Sequence, residues 1–166
     1  MQKLSKYIDK FTELVGWFTA FTLLSLSTLI VYDAFARYLF QSGSIALQEL
    51  EWHLFDLVMM FAIAYTLKYN QHVRVDLFYE KFSQRNKIII DLIGSIFLIL
   101  PFSLLVIFFS IDFIQLSLSQ LEGSSDPGGL PMRYLIKSVM FFSFIVVVLQ
   151  AISEIIKSMN KLKGLS

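Results

Sequence analysis

The sequence predicts an all-α integral membrane protein, a single membrane domain over residues 1–166 that crosses the bilayer four times. Of the 166 residues, 56% are hydrophobic and only 16% are charged, whereas about a quarter of the residues of a soluble domain are charged. The charges are also gathered between long uncharged runs. A soluble core of this length could not bury so much apolar surface, which favours the membrane class.

The first element is the N-terminal stretch 1–12, which carries apolar residues on one helical face and lysines largely opposite. Two arrangements suit it: an amphipathic helix on the membrane surface, or a simple extension of the first membrane helix. The first span follows at about 13–37 and contains nineteen uncharged residues, 14–32. This run exceeds the ~7–15 apolar residues of a signal peptide. We therefore expect the helix to be retained, although "DAFA" before Arg37 resembles a cleavage site.

The other spans are predicted at about 46–69, 86–113 and 133–157. A helix rises 1.5 Å per residue, so crossing about 30 Å of hydrocarbon takes roughly 20 residues. The second span has an uncharged run of only eleven residues and must draw the polar stretch "LQELEWHLFD" into the membrane or its interface. Pro101, near the middle of the third span, should kink that helix. The segment "SSDPGGLP" is a strong turn signal before the fourth span.

Lysine and arginine are unevenly distributed between the two sides of the predicted membrane. Eleven of the 14 basic residues lie before the first span, between the second and third, or after the fourth. By the positive-inside rule, both termini are predicted to be cytoplasmic. The connections 37–46 and 113–132 would then face outward. We expect a multi-pass membrane protein surrounded by lipid, whose outward side is the periplasm if the protein is Gram-negative.

The head of the second span carries an unusual polar stripe. Glu49, Trp52, His53 and Asp56 share one helical face because they lie at i, i+3, i+4 and i+7. Asp56 is twelve residues, about 18 Å at helical rise, from Lys68 at the end of the span. A carboxylate at this depth costs about 2.5–3.5 kcal/mol. Asp56 should therefore face protein or water.

Several uses of such a stripe can be weighed. A metal or haem site is disfavoured because the chain has only two histidines, His53 and His72, and no cysteine. A proton relay needs intramembrane acids on more than one helix, but Asp33 and Asp112 lie at the ends of their spans. Polar packing against a partner helix is favoured. The sequence lacks the common catalytic motifs and a basic nucleic-acid-binding patch, so we expect no enzyme, cofactor or nucleic acid.

Several motifs, in order, resemble a known family. Arg37 closes the first span, "ELEW" (Glu49 to Trp52) opens the second, and "HVRVD" (His72 to Asp76) follows it. This succession resembles the small four-helix membrane subunit (Q-type, DctQ-like) of tripartite ATP-independent periplasmic (TRAP) transporters. The segment "SSDPGGLPMRYLIK" resembles one branch of that family, labelled the mannitol or chloroaromatic type.

The resemblance implies a function. Such transporters couple inward Na⁺ flow to the uptake of organic acids, and a periplasmic binding protein delivers the substrate. The large (M-type) membrane subunit is expected to hold Na⁺ and substrate, while the small subunit scaffolds it and forms part of the periplasmic docking surface. A carboxylate, such as a 2-oxo acid or a C4-dicarboxylate, is the expected substrate. The principal alternative is an autonomous four-helix, proton-coupled transporter or exporter acting as a homo-oligomer; a redox-enzyme anchor is disfavoured by the histidine count.

On this resemblance we assign candidate roles to polar residues of the first two spans. Glu49, Trp52 and Asp56 are predicted to form a polar seam, within the small subunit or against the large one. Independently of the resemblance, the i, i+4 spacing of Asp33 and Arg37 predicts a pair at the outer rim.

Two further groups of candidates lie in the connections. Residues of the outward connection before the fourth span are predicted to border the docking surface for the binding protein: Glu122, Asp126 and Arg133. Residues after the second span are predicted to hold the cytoplasmic turn: His72, Arg74 and Asp76.

Overall fold

A computed structural model describes residues 2–69 and 82–164 of the chain. These residues contain no strand. They form four helices, each long and apolar enough to cross a membrane: α1 (Gln2–Phe40), α2 (Ile45–Lys68), α3 (Gln84–Ser119) and α4 (Arg133–Gly164). The predicted all-α class with four membrane-length helices is confirmed.

Helix α1 is continuous from Gln2 to Phe40. Its 39 residues would measure about 58 Å, nearly twice the hydrocarbon thickness. Of the two arrangements considered for residues 2–12, the structure shows the extension of the first membrane helix. The physical reason is a buried polar face: Ser5 and Thr12 are 4% and 0% exposed, and they bond to α4 rather than to water.

Helix α3 passes through one wide π-helical turn, Ser95–Ile99, directly before Pro101. Proline has no N–H, and its ring crowds the carbonyl four residues earlier, so a regular α-helix is disturbed there. In the wide turn, the N–H of Leu100 donates to the carbonyl of Ser95. This turn lets α3 continue past the proline.

Helix α4 is the centre of the bundle, since it packs against each of the other three helices. α1 and α2 also pack side by side, whereas the substantial packing of α3 is against α4. The apolar core lies between α2 and α4: Ala64, Leu67, Val146, Val147 and Ala151. This arrangement leaves α2 and α3 on separate flanks of α4.

Small residues let these helices approach closely, as is common in membrane proteins. A Cβ placed on Gly16 of α1 would lie 2.2 Å from the ring of Tyr65 on α2. On α3, four serines spaced seven or eight residues apart are all buried, which places them at the contact with α4: Ser95, Ser103, Ser110 and Ser117. The hydroxyls of Ser95 and Ser110 donate hydrogen bonds to carbonyls of their own helix.

The outer faces of α1 and α3 expose large apolar side chains. Phe21 of α1 and Phe97 of α3, for example, are 69% and 70% exposed. Faces of this kind suit hydrocarbon or another membrane protein. The polar side chains discussed below are therefore exceptions in an apolar setting.

Candidate functional site

Near the start of α2, Glu49 lies against the connection between α3 and α4. Ser44 caps the helix by accepting a hydrogen bond from the N–H of Leu47 at 3.4 Å. Glu49 follows one turn later and is 6% exposed. A carboxylate buried to this extent needs hydrogen-bond donors. The connection before α4 supplies them.

Glu49 binds three groups of that connection. The hydroxyl of Ser124 donates to Oε1, and the backbone N–H of Leu130 donates to Oε2. Arg133 Nη2 lies 2.9 Å from Oε1 and forms an ion pair with it. One side chain of α2 thereby holds both ends of the connection. We call residues 122–133, held in this way, the anchored loop.

The anchored loop is also bonded to itself. The N–H of Ser124 donates to the carbonyl of Leu130 at 3.0 Å, and that of Arg133 donates to the carbonyl of Glu122 at 2.8 Å. Gly128 has a φ of +84°, a conformation that favours glycine. At Gly129, a Cβ would lie 2.3 Å from Ser124 Oγ and 2.7 Å from Glu49 Oε2. The loop therefore packs closely on Glu49 only because residue 129 has no side chain.

The three residues predicted to border a docking surface differ in their surroundings. Arg133 is turned toward Glu49. Glu122 accepts a hydrogen bond from Lys137, and this ammonium holds the pKa of the Glu122 carboxyl below its ordinary value. The side chain of Asp126 is exposed. Asp126 is thus the most accessible of the three, while Glu122 and Arg133 take part in fixing the loop.

Asp33 and Arg37 form an ion pair at the end of α1. Arg37 Nε lies 2.7 Å and Nη2 2.5 Å from Asp33 Oδ2. With its amide turned so that the oxygen faces Arg37, Gln48 of α2 accepts from the same guanidinium. Asp33 is only 5% exposed, whereas the Arg37 side chain is 38% exposed, so a half-buried pair links the ends of α1 and α2.

Trp52 and Asp56 do not join Glu49. Trp52 is 69% exposed, and His53 is half-buried. Asp56 is exposed and has no hydrogen bond or ion pair with any residue in the described ranges. It borders a groove of about 180 Å³ between α2, α3 and α4, whose other lining residues are apolar apart from Lys137. The structure thus separates the predicted seam into a satisfied carboxylate and an unsatisfied one.

A second polar cluster at the opposite end of the bundle was not predicted. Gln150 of α4 is fully buried and accepts a hydrogen bond from Thr12 at 2.7 Å. Its Nε2 donates to Asp9 at 3.0 Å. Ser153 and Lys157 also donate to Asp9, at 2.7 Å and at 3.2 Å. This cluster joins the extension of α1 to α4.

The sequence does contain a signal for that cluster. Ser5, Asp9 and Thr12 lie at i, i+4 and i+7 of α1, and Gln150, Ser153 and Lys157 lie at i, i+3 and i+7 of α4. Helical spacing shows that each set shares one polar face, but it does not show that the two faces meet. A further link joins α1 to the end of α2, where Lys68 pairs with Glu13 and Tyr69 donates to Glu13 at 2.7 Å.

The remaining candidates, His72, Arg74 and Asp76, lie outside the described residues. Across residues 2–69 and 82–164, no group of three or more His, Asp or Glu side chains could hold a metal ion. The polar contacts found there are helix-to-helix and helix-to-loop bonds that fix a membrane bundle. Three carboxylates of the described residues are exposed: Asp56, Asp112 and Asp126. Such an arrangement suits a protein that packs against other proteins and holds them in position.

Comparison with known proteins agrees with this picture. A family model described as "Tripartite ATP-independent periplasmic transporters, DctQ component" matches residues 26–161. The matched region includes Glu49, the anchored loop and the Asp56 groove. No curated protein matches the chain.

Proposed function

Because the chain belongs to the DctQ component family of tripartite ATP-independent periplasmic transporters, we propose that it scaffolds a large transport subunit and helps to dock a binding protein. The members of this family are transporter components and not enzymes. The chain is thus a small, multi-pass membrane subunit of a transporter that also comprises a large subunit and a binding protein.

The anchored loop is the observation that supports a docking role. A connection between helices is usually more mobile than the helices themselves, but here Glu49 holds Ser124, Leu130 and Arg133 together. A fixed loop loses less conformational entropy when a soluble protein binds to it. The exposed side chain of Asp126 lies on this loop.

The exposed apolar faces support a scaffolding role. α2 exposes large side chains such as Phe55 and Met59, whereas α4 is already surrounded by its own neighbours. A small bundle of this kind can widen the membrane-embedded part of a larger subunit. The substrate and the coupling ion would be bound by that larger subunit, so no cofactor is assigned to this chain.

For the transport reaction we propose Na⁺-coupled uptake of an organic acid, with a carboxylate such as a 2-oxo acid or a C4-dicarboxylate as substrate. The family membership supports this proposal; the match identifies the family and not its mannitol or chloroaromatic branch. For sidedness we propose that both termini are cytoplasmic in the bacterial inner membrane. The positions of the lysines and arginines support this orientation.

Reconstitution tests the transport proposal. The chain, the large subunit and the binding protein are placed in liposomes with an inward Na⁺ gradient, and uptake of radiolabelled carboxylates is measured. We expect uptake only when all three proteins and the gradient are present, without ATP. Transport by this chain alone would show an autonomous transporter and contradict the proposal.

Crosslinking tests docking and sidedness together. A photoreactive amino acid at position 126 should form an adduct with the binding protein, because Asp126 is exposed on the anchored loop. The control carries the same group at position 159, since Met159 is 43% exposed at the other end of the bundle. Adducts from position 159 and none from position 126 would reverse the proposed orientation.

A further inference from the structure

Asp56 lies at the middle of α2. It is eleven residues from Ile45 and twelve from Lys68, the two ends of the helix. These separations correspond to about 16 Å and 18 Å along the axis. The outward connection meets α2 at Glu49, so Asp56 lies seven residues or about 10 Å below it, inside a hydrocarbon core of about 30 Å. Ionisable groups at this depth face protein or a water-filled cavity and usually have a function.

Within the described residues, nothing in the chain satisfies this carboxyl. Glu49 lies two turns away on the same face and has three donors, whereas Asp56 has none and is exposed. The nearest cation of the groove is Lys137, but its amine binds Glu122 and lies 4.3 Å from the centre of the Phe113 ring. The amine is thus engaged at the outer end of the groove.

The surface around Asp56 has the shape and periodicity of a helix-binding face. The exposed residues of this part of α2 recur at i, i+3, i+4 and i+7: Trp52, Phe55, Asp56 and Met59. Beside this stripe runs the groove of about 180 Å³, whose floor is formed by Ile136, Val139 and Met140 of α4. An apolar helix packs well on such a face, with one polar contact at the carboxyl.

Two other occupants fit less well. A lipid headgroup stays at the interface and does not reach a carboxyl about 10 Å inside the hydrocarbon. A second copy of this chain offers no free cation at this end of the bundle, because its Arg37, Arg133 and Lys137 already pair with carboxylates of their own chain. The hydrogen-bond donor for Asp56 must therefore come from a different membrane protein.

We propose that the Asp56 groove is where a membrane helix of the large subunit packs, with a hydrogen-bond donor of that helix directed at the Asp56 carboxyl. This inference rests on the proposed function and assigns the scaffolding contact to a specific face. The occupant is an apolar helix with one cationic side chain at the depth of Asp56. The anchored loop closes the outer end of the same face.

Site-specific photocrosslinking tests the position of the contact. A photoreactive amino acid replaces Met60 or Met140 in the groove, or Phe21 on the outer face of α1 as the control, in cells that coexpress the large subunit. We expect adducts with the large subunit from positions 60 and 140 and none from position 21. Adducts with a second copy of this chain or with lipid alone, or no protein adduct, would overturn the inference.

Substitution of Asp56 tests the polar contact. Asp56→Leu should lower recovery of the large subunit with this chain by about threefold to tenfold, the range expected for one polar contact between membrane helices. Asp56→Asn, which keeps hydrogen-bonding capacity, should lower it less. As a folding control, each isolated variant should keep the helix content and elution volume of the wild type. Recovery unchanged in Asp56→Leu would contradict the inference.

The outcomes separate the two proposals. If the wild-type chain fails to copurify with the large subunit at all, the scaffolding function itself is wrong. If it copurifies but positions 60 and 140 form no adduct and Asp56→Leu has no effect, the function stands and the assigned face is wrong.

Discussion

Glu49 and Asp56 occupy the same face of α2, seven residues apart, but their surroundings are opposite. Glu49 lies under the anchored loop, with donors from Ser124, Leu130 and Arg133. Asp56, two turns deeper, borders an open groove and has no partner among the described residues. The comparison teaches that a shared helical face does not imply a shared role. Glu49 stabilises the subunit itself, while Asp56 is available to another protein.

The largest expected effect comes from removing the satisfied carboxylate. Glu49→Leu leaves the guanidinium of Arg133, the hydroxyl of Ser124 and the N–H of Leu130 without their acceptor. We expect the Tm of the isolated chain in detergent to fall by roughly 6 °C or more, since a lost buried network is among the strongly destabilising changes. Thermal unfolding followed by circular dichroism measures it.

The control lies one turn away on the same helix. Trp52→Leu removes a side chain that is 69% exposed, so the Tm of the isolated chain should stay within about 2 °C of the wild type. An equal fall in Tm for Trp52→Leu and Glu49→Leu would mean that any change near the start of α2 destabilises the chain. The contacts of Glu49 would then have no special importance.

The Asp9–Gln150 cluster provides a second internally satisfied group for comparison with Glu49. Gln150→Leu removes the acceptor of Thr12 and one donor to Asp9. Leaving buried polar groups without partners costs about 1–3 kcal/mol, and the variant should unfold at a lower temperature. The control is Met159→Leu at an exposed position of the same helix. An unchanged Tm in Gln150→Leu would show that water replaces the lost bonds.

Gly129→Ala sharpens the comparison by changing only how closely the loop approaches Glu49. The new methyl group would lie 2.3 Å from Ser124 Oγ, so the loop must move away, at a cost of about 1–3 kcal/mol. In the same loop, a Cβ on Gly123 meets only Pro131 at 3.9 Å, and Gly123→Ala should be close to neutral. Equal unfolding temperatures for the two variants would argue against close packing on Glu49.

The smallest effect concerns Glu122 and pH. Its pKa is lowered from 4.5 chiefly by the hydrogen bond from Lys137. The contact therefore stabilises the fold above pH 4.5, and this contribution is lost as the pH falls through the lower, folded-state pKa. We expect Glu122→Gln to lower the Tm by about 2 °C or less at pH 7. The difference from wild type should vanish in strong acid; a difference that grows on acidification would contradict this assignment.

Much of the fold could be predicted from the sequence because it follows from composition and periodicity. Four uncharged runs require four membrane helices, and the spacing of Glu49 and Asp56 places them on one face. The effect of Pro101 could be located in the same way, although the sequence does not show that a π-helical turn absorbs it. The family resemblance was likewise carried by short motifs in order, and the match over residues 26–161 agrees with it.

The tertiary contacts could not be predicted because they depend on how the helices are arranged. Nothing local to "LQELEWHLFD" shows that residues 124–133 fold back onto Glu49, about eighty positions earlier. Gln150 resembles an ordinary residue of a solvated helix end until α1 is extended to Gln2, which brings Asp9 and Thr12 beside it. These contacts arise from long-range pairing and not from local preference.

The most direct test of the contrast between Glu49 and Asp56 is one thermal-unfolding experiment on two variants, each measured alone and in complex with the large subunit. Glu49→Gln should lower the Tm of the isolated chain and of the complex. Asp56→Asn should leave the isolated chain unchanged and lower the Tm of the complex only. If Asp56→Asn instead destabilises the isolated chain as much as Glu49→Gln does, both carboxylates serve the fold of the subunit and the account is wrong.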